Sequence, residues 1–269
     1  MFKQYKKYLK ITKNSILTVT TYRFHFFFSI ISSILYFVIY FFLWRSIYDS
    51  SGSTIINGMT FPQVIVYISL AYSIFVLFKT WTEWGMSRNI VSGQIMMDLI
   101  KPYNYHHANL ARSIGFVFFN FFCITIPIFI LLFTVFNSTI IFGINLLYFA
   151  FSLCLAFLIS FSIDYSIGLT SFYTESIWGI SITKEVVIMA LSGTLIPLSF
   201  FPDSIEFILK LLPFAAIYHI PISTLVTPTL GVLDYCIMFI SQISWVIILL
   251  GFNKYFFKQA IKVVTINGG

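Results

Sequence analysis

Long apolar runs alternate with short polar stretches along this chain, and one polar stretch is much longer than a connection requires. Six runs approach the about 20 residues that a helix needs to cross a bilayer: Phe24–Trp44, Phe61–Phe78, Ser113–Phe136, Asn145–Ile167, Val186–Phe201 and Val232–Phe252. None alternates with the period of two that a barrel strand shows, so each predicts a helix. The third run carries Pro127, which removes a helix hydrogen bond and predicts a bend there. The fifth is short: a helix over Val186–Phe201 rises only about 24 Å, against a hydrocarbon core of about 30 Å.

Two flanking segments are patterned differently. Over residues 2–22, Lys3, Lys6, Lys7, Lys10 and Lys13 gather on one helical side and Phe2, Tyr5, Leu9 and Ile16 recur on the other. That pattern predicts an amphipathic helix lying on an anionic leaflet, the alternative being a basic tail without structure. Residues 203–228 are punctuated by Pro213, Pro221 and Pro228 and follow Pro197 and Pro202. Asp203 is placed to cap a helix with Glu206 at its third position. Asp203, Glu206 and Lys210 would then form a polar stripe, with Ile205, Ile208, Leu209 and Leu212 facing away. We expect two short re-entrant helices in the outer leaflet here, rather than a further crossing.

Composition decides the solvent. Of 269 residues, 59% are hydrophobic and 9% charged, where a soluble domain carries about 25% charged residues. The surrounding medium is therefore a bilayer, and the chain reads as a single all-α transmembrane domain over residues 1–269. The net charge of +7 does not mark a nucleic-acid binder, because the basic residues sit beside apolar runs instead of forming a basic domain. Orientation follows from their distribution. With the amino terminus inside, all Lys and Arg residues except Arg45 and Lys210 fall on the cytosolic side, which places both termini in the cytosol of a multi-pass cell-membrane protein. Cys123, Cys154 and Cys236 lie within apolar runs and read as small buried hydrophobes. The basic amino terminus has no apolar core before Phe24 and no small-residue cleavage site, so no removable signal peptide is expected.

The long polar stretch is Lys79–Arg112. Trp81 and Trp84 suit a membrane interface as anchors, as do Lys3, Lys7 and Lys10 of the amino-terminal segment. Over Arg88–Lys101 the spacing predicts a short helix along the inner leaflet. Ile90, Met97 and Ile100 would line one side, leaving Arg88, Gln94, Asp98 and Lys101 for solvent or a partner. Candidate chemistry is otherwise sparse. His106 and His107 are adjacent, so on a helix they point about 100° apart and would not share a metal. His25 and His219 have no sequence-local carboxylate partner. No phosphate-cradling GxxxxGK[ST], GxSxG, HExxH or CxxC occurs, and no catalytic or metal residue is assigned. Asp164 is the one acid inside or near a span; it is either structural, at the cytosolic end of the fourth run, or a substrate- or proton-handling group. Small residues Ser69, Ser73, Ser192, Gly193 and Thr194 permit close helix contact.

Three stretches, in this order, resemble the membrane subunits of type-2 ATP-binding-cassette exporters, in a six-span bacterial branch. They are Arg88-Asn89-Ile90-Val91-Ser92-Gly93-Gln94 leading to Asp98-Leu99-Ile100-Lys101-Pro102, Phe172–Gly179, and Leu191–Pro202 running into Leu212-Pro213-Phe214. Where that family commonly has an acidic residue after the glycine, this chain has Gln94. The resemblance implies that residues 81–102 hold a coupling helix, with Arg88, Asn89, Ile90, Gly93, Gln94, Met97, Asp98 and Lys101 meeting a cytosolic ATPase. ATP and Mg would then be held by that ATPase and not by this chain. It further implies that residues 2–22 form the connecting helix, and that Pro197, Pro202, Asp203, Glu206 and Pro213 shape a re-entrant exit. A second membrane subunit would complete the path, and the cargo would be an amphipathic peptide, drug or lipid. The competing readings are a membrane enzyme acting on lipids, which should show clustered Asp, His or Arg, and a secondary transporter or channel, which should show several buried charges or inverted repeats.

Overall fold

The computed structural model describes residues 2–21, 23–135, 143–227 and 230–263, without the side chains of 2–5, 23–27, 29, 30 and 131–135. Of the expected positions, Phe136 and Pro228 lie outside the described residues, as do the side chains of Lys3 and His25. The described chain is helical nearly throughout. α1 (Phe2–Thr21) is followed by α2 (Arg23–Ser51), a two-stranded hairpin of β1 (Ile55–Ile56) and β2 (Met59–Thr60), and α3 (Phe61–Leu77). The hairpin turns on Asn57 and Gly58, both with positive φ, the pairing that a two-residue hairpin favours. The Tyr48 hydroxyl donates to the Met59 carbonyl at 2.7 Å and ties the hairpin to α2.

Among the described residues, five helical stretches are long and apolar enough to cross a membrane: Ile31–Ser51, Phe61–Val91, Tyr105–Ile130, Ile144–Phe172 and Val232–Val263. The second is central, because 61% of its most apolar window is buried against 17% for the first and last. α3 is apolar on every side for that reason, and Val64, Val66, Leu70 and Ala71 are fully enclosed. The third stretch comprises α6 (Tyr105–Asn120), a π-helical turn (Phe121–Thr125) and α7 (Ile126–Val135). The expected distortion at Pro127 takes the form of this π turn directly before it. Widening the helix there accommodates the missing proline N–H.

Polar side chains rivet the last long helices together. α8 (Ile144–Leu169) packs along α13 (Val232–Ala260). Between them, Ser152 donates to Gln242 at 3.0 Å, and the Asn253 side-chain amide donates to the Ser162 carbonyl at 3.0 Å. Gln242 also donates to the Ala216 carbonyl at 2.8 Å, so one buried amide joins three segments.

The expected fifth run and the segment after it are built differently from the sequence reading. α9 spans Trp178–Leu191, beginning before Val186 and ending well before Phe201. Its 14 residues rise about 21 Å, and an irregular stretch through buried Pro197 and a 3-10 turn at Leu198–Phe200 follows it. Three short helices follow instead of two: α10 (Asp203–Leu211), α11 (Pro213–Ile217) and α12 (His219–Val226). Pro202, not Asp203, occupies the cap position of α10, with no side-chain capping bond. Glu206 instead pairs with Lys210 at 2.7 Å. Pro213 opens α11, where a missing N–H has no consequence. Of the residues expected to face away from the polar stripe, Leu209 is buried and Leu212 half-buried, while Ile205 and Ile208 are exposed. α11 and α12 are enclosed by protein, with Ala215, Ala216, Ile217, Ile222 and Leu225 fully buried.

α1 is not merely laid beside the bundle. Lys7 donates to the Pro102 carbonyl at 3.1 Å, the Asn104 amide donates to the Tyr8 hydroxyl at 3.1 Å, and Thr12 donates to the Ala111 carbonyl at 2.9 Å. The two helices run side by side in the same direction, and Gly115 makes this possible. A Cβ on Gly115 would lie 2.6 Å from the Ser15 Cβ and 2.7 Å from the Thr12 carbonyl oxygen. Gly115→Val is therefore expected to cost about 1–3 kcal/mol of docking. Trypsin cleavage after Lys10 and Lys13 should accelerate by about tenfold or more; an unchanged cleavage rate would refute this packing.

Candidate functional site

The polar stretch folds as two helices, α4 (Thr82–Val91) and α5 (Ile95–Ile100), not as one helix over Arg88–Lys101. The break is at Ser92–Gln94, where Gly93 adopts φ +73°, a conformation that a side chain resists and glycine allows. The entry to α4 is equally sharp. Trp81 has φ +54°, and the Asn120 side chain donates to the Val76 carbonyl at 3.0 Å, satisfying the exposed end of α3. Thr82 and Ser113 hydroxyls, 2.6 Å apart, fasten α4 to α6.

The base of α4 carries a buried charge cluster. Lys184 of α9 reaches Glu83 of α4 at 2.8 Å and Asp164 of α8 at 2.7 Å. Ser181 donates to Glu83 at 3.2 Å. Lys79 and Glu185 form a looser pair at 3.4 Å beside it. Asp164 therefore has a structural partner, and one ammonium serves two carboxylates. Burying such groups is tolerated only when they are paired. The cluster joins α4, α8 and α9 at a single point.

A second cluster fixes α5. Asp98 is buried and accepts from Lys101 at 2.8 Å and from the Tyr103 hydroxyl at 3.1 Å, with Arg112 at 3.6 Å. Of the four polar residues expected to face solvent or a partner, Asp98 departs, while Arg88, Gln94 and Lys101 are exposed. Asp98 points inward, while Met97 and Ile100 are 65% and 80% exposed. Ile90 packs half-buried near Met86 and Ile95. Arg112, from the middle of α6, provides a countercharge on the inner side, and Lys101 reaches the same carboxylate from the exposed side. Burial alone would raise the Asp98 pKa, but the Lys101 hydrogen bond, the Arg112 charge and the Tyr103 hydroxyl together hold it below its ordinary value. A depressed carboxylate stabilises the fold above its unfolded pKa and loses that contribution as pH falls through the folded one. We expect the melting-temperature gap between wild type and Asp98→Asn to be full at neutral pH and to close as pH falls below 3.8. A gap that widens with acidification would contradict this arrangement.

The other predicted residues separate into exposed and structural ones. Arg88, Gln94 and Lys101 are exposed, and Asn89 and Trp84 are half-buried. Lys7 and Lys10 are both exposed, and Lys7 donates to the Pro102 carbonyl ahead of α6. Trp81 is 43% exposed, with the Lys79 ammonium 4.8 Å from its ring centre. His106 packs edge-on against Tyr165, ring centres 4.7 Å apart, and among the described residues no group of His, Cys, Asp and Glu is placed to hold a metal. At the far end of the bundle, the Tyr67 hydroxyl and His219 Nδ1 share a hydrogen bond of 3.2 Å. This is the partner that local sequence did not supply.

Glu83, Lys184 and Glu185 were missed as site residues by the sequence reading, which counted Lys184 only as a loop charge. A signal existed. Asp164 in an apolar run needs a cation, and Lys184 is the sole Lys or Arg between Arg112 and Lys210.

No individually curated protein matches the chain. A family profile described as ABC-2 family transporter protein matches residues 34–268, which takes in most of the first long apolar stretch, the other four in full, the α4–α5 pair and both charge clusters. The chain belongs to the ABC-2 family of transporter proteins and is a transport permease of the membrane.

Proposed function

We propose that this multi-pass permease is the membrane subunit of an ATP-driven exporter, moved by a separate cytosolic ATPase that docks on the α4–α5 tip. The observation that carries the reading is the contrast between the two ends of that pair. Its tip presents Val91, Met97 and Ile100 at 53%, 65% and 80% exposure around the Gly93 turn. Its base is pinned to α8 and α9 through Glu83, Lys184 and Asp164. A short helix offering apolar anchors suits a groove on a partner, and a rigid base passes displacement of the tip to the bundle.

In this scheme, ATP and Mg bind the ATPase, and closure of its subunits shifts α4–α5. Alternating access follows as a population shift between two packed arrangements. A second membrane subunit, identical or homologous, completes the path, α9 with its irregular continuation makes a sixth crossing, and α10–α12 close the outer side. Both termini lie in the cytosol, and α1 rests on the inner leaflet through its lysines and exposed Leu9 and Leu17. The test is co-purification with candidate ATP-binding-cassette ATPases, comparing wild type with Met97→Asp/Ile100→Asp. Equal recovery of the ATPase by both proteins would refute docking at the tip.

A further inference from the structure

Between α1, α2, α3 and α6 lies a hollow of about 810 Å³. It adjoins a second hollow of about 620 Å³ between α4 and α6. The two share Trp81, Arg88 and Phe116 in their walls, so Arg88 borders both. The walls are sharply divided by chemistry. Lys79, Arg88 and Arg112 lie at the end nearest α4, while Tyr72, Phe75 and Phe116 make an aromatic lining toward the bundle. No Asp or Glu lines either hollow. The carboxylates that pair with Lys79 and Arg112, Glu185 and Asp98, lie outside both linings. The Arg88 side chain is exposed and makes no ion pair or hydrogen bond among the described residues.

We infer that this pair of hollows binds an anionic amphiphile drawn from the leaflet beside α4: a phosphate, sulfate or carboxylate headgroup at Arg88 and Lys79, with its apolar chain along Tyr72, Phe75 and Phe116. Three observations converge on it. An unpaired guanidinium at the mouth favours an anion that offers two oxygens to its parallel N–H donors. Among the described residues no carboxylate in the walls faces Arg88, so its charge, unlike those of Lys79 and Arg112, is uncompensated. The aromatic lining is suited to a hydrocarbon chain and ill suited to a free, fully hydrated anion. A volume of about 810 Å³ admits a headgroup with a length of chain. α1 and α2 add Thr18 and Ser32 to the wall. The site needs no ATPase for occupancy, and it deepens the export reading by naming the chemical class of molecule that the membrane path meets.

The test uses the full chain in phosphatidylcholine nanodiscs without ATP or a partner, so it fails separately from the ATPase-docking proposal. Phosphatidylglycerol or phosphatidylcholine with brominated acyl chains is titrated in, and the tryptophan quenching that disappears in Trp81→Phe is taken as the site signal. We expect that signal to be half-complete at about fivefold less phosphatidylglycerol than phosphatidylcholine, the preference of one basic group for an anionic lipid. Arg88→Gln should abolish the preference, and Arg88→Lys should largely keep it. Equal quenching by the two lipids, or a preference intact in Arg88→Gln, would overturn the inference. Inorganic phosphate is the remaining arm. If phosphate alone removes the phosphatidylglycerol signal, the site is one for a soluble anion and the amphiphile assignment is wrong.

Discussion

Lys184→Met is expected to be the most damaging single substitution in this protein. It removes the one ammonium that holds Glu83 and Asp164, at 2.8 and 2.7 Å, and leaves two carboxylates facing each other in a buried site. The second carboxylate oxygen of Glu83 is already buried without a partner, so no spare hydrogen bonding is available to absorb the loss. Breaking a buried pair costs about 3–5 kcal/mol, which corresponds to a fall of about 10 °C or more in melting temperature for a chain of this size. The measurement is the fraction of monodisperse protein recovered after heating in mild detergent. The physical cause is separable from loss of Lys184 packing. Combining Lys184→Met with Glu83→Gln and Asp164→Asn removes all three charges together and is expected to restore most of the stability. A triple variant no better than Lys184→Met would show that charge pairing is not what the site supplies.

The second large effect concerns partner binding and leaves the fold intact. Met97 and Ile100 are among the most exposed large apolar side chains of the molecule, at 65% and 80%, and they sit beside the buried Asp98 that orients α5. Substituting exposed positions away from caps and cores changes stability by about 0.5 kcal/mol or less, so Met97→Asp/Ile100→Asp should melt with the wild type. An apolar anchor at the centre of an interface is worth about 2 kcal/mol or more, a loss of about thirtyfold in affinity. Two anchors replaced by charges should therefore abolish ATPase capture and ATP-driven transport together. A double variant that retains both would place the docking surface elsewhere. One that melts early would show that these side chains belong to the fold.

How much of this was legible depended on whether a position answers to its neighbours in sequence or in space. The long apolar runs were readable because a bilayer demands uninterrupted hydrophobicity over a fixed length. The pattern at Asn57–Gly58 was readable too, since that dipeptide favours a hairpin turn, yet it was passed over. α9 was harder. Its apolar run extends past Leu191, but the helix stops there and the chain continues through buried irregular backbone. Only surrounding protein can satisfy irregular backbone at that depth. The orientation of α5 was misjudged because helical spacing alone says which residues share a side and not which side faces inward. Arg112, from another helix, supplies the inner countercharge for Asp98.

The sequence by itself determined that this chain lives in a membrane, that its polar stretch Lys79–Arg112 stands apart, and that its order of motifs is that of a transporter subunit. Those properties are set by composition, run length and local motif, which need no knowledge of contacts. Only the tertiary structure decided that Glu83, Asp164 and Lys184 meet, that Asp98 turns inward, and that α1 docks on α6 through Gly115. It also decided that Arg88 stands unpaired at the mouth of an aromatic hollow. Each of these depends on residues far apart in the chain, brought together by helix packing. The energy of a buried charge is set by its nearest countercharge, and no local pattern names which countercharge that is.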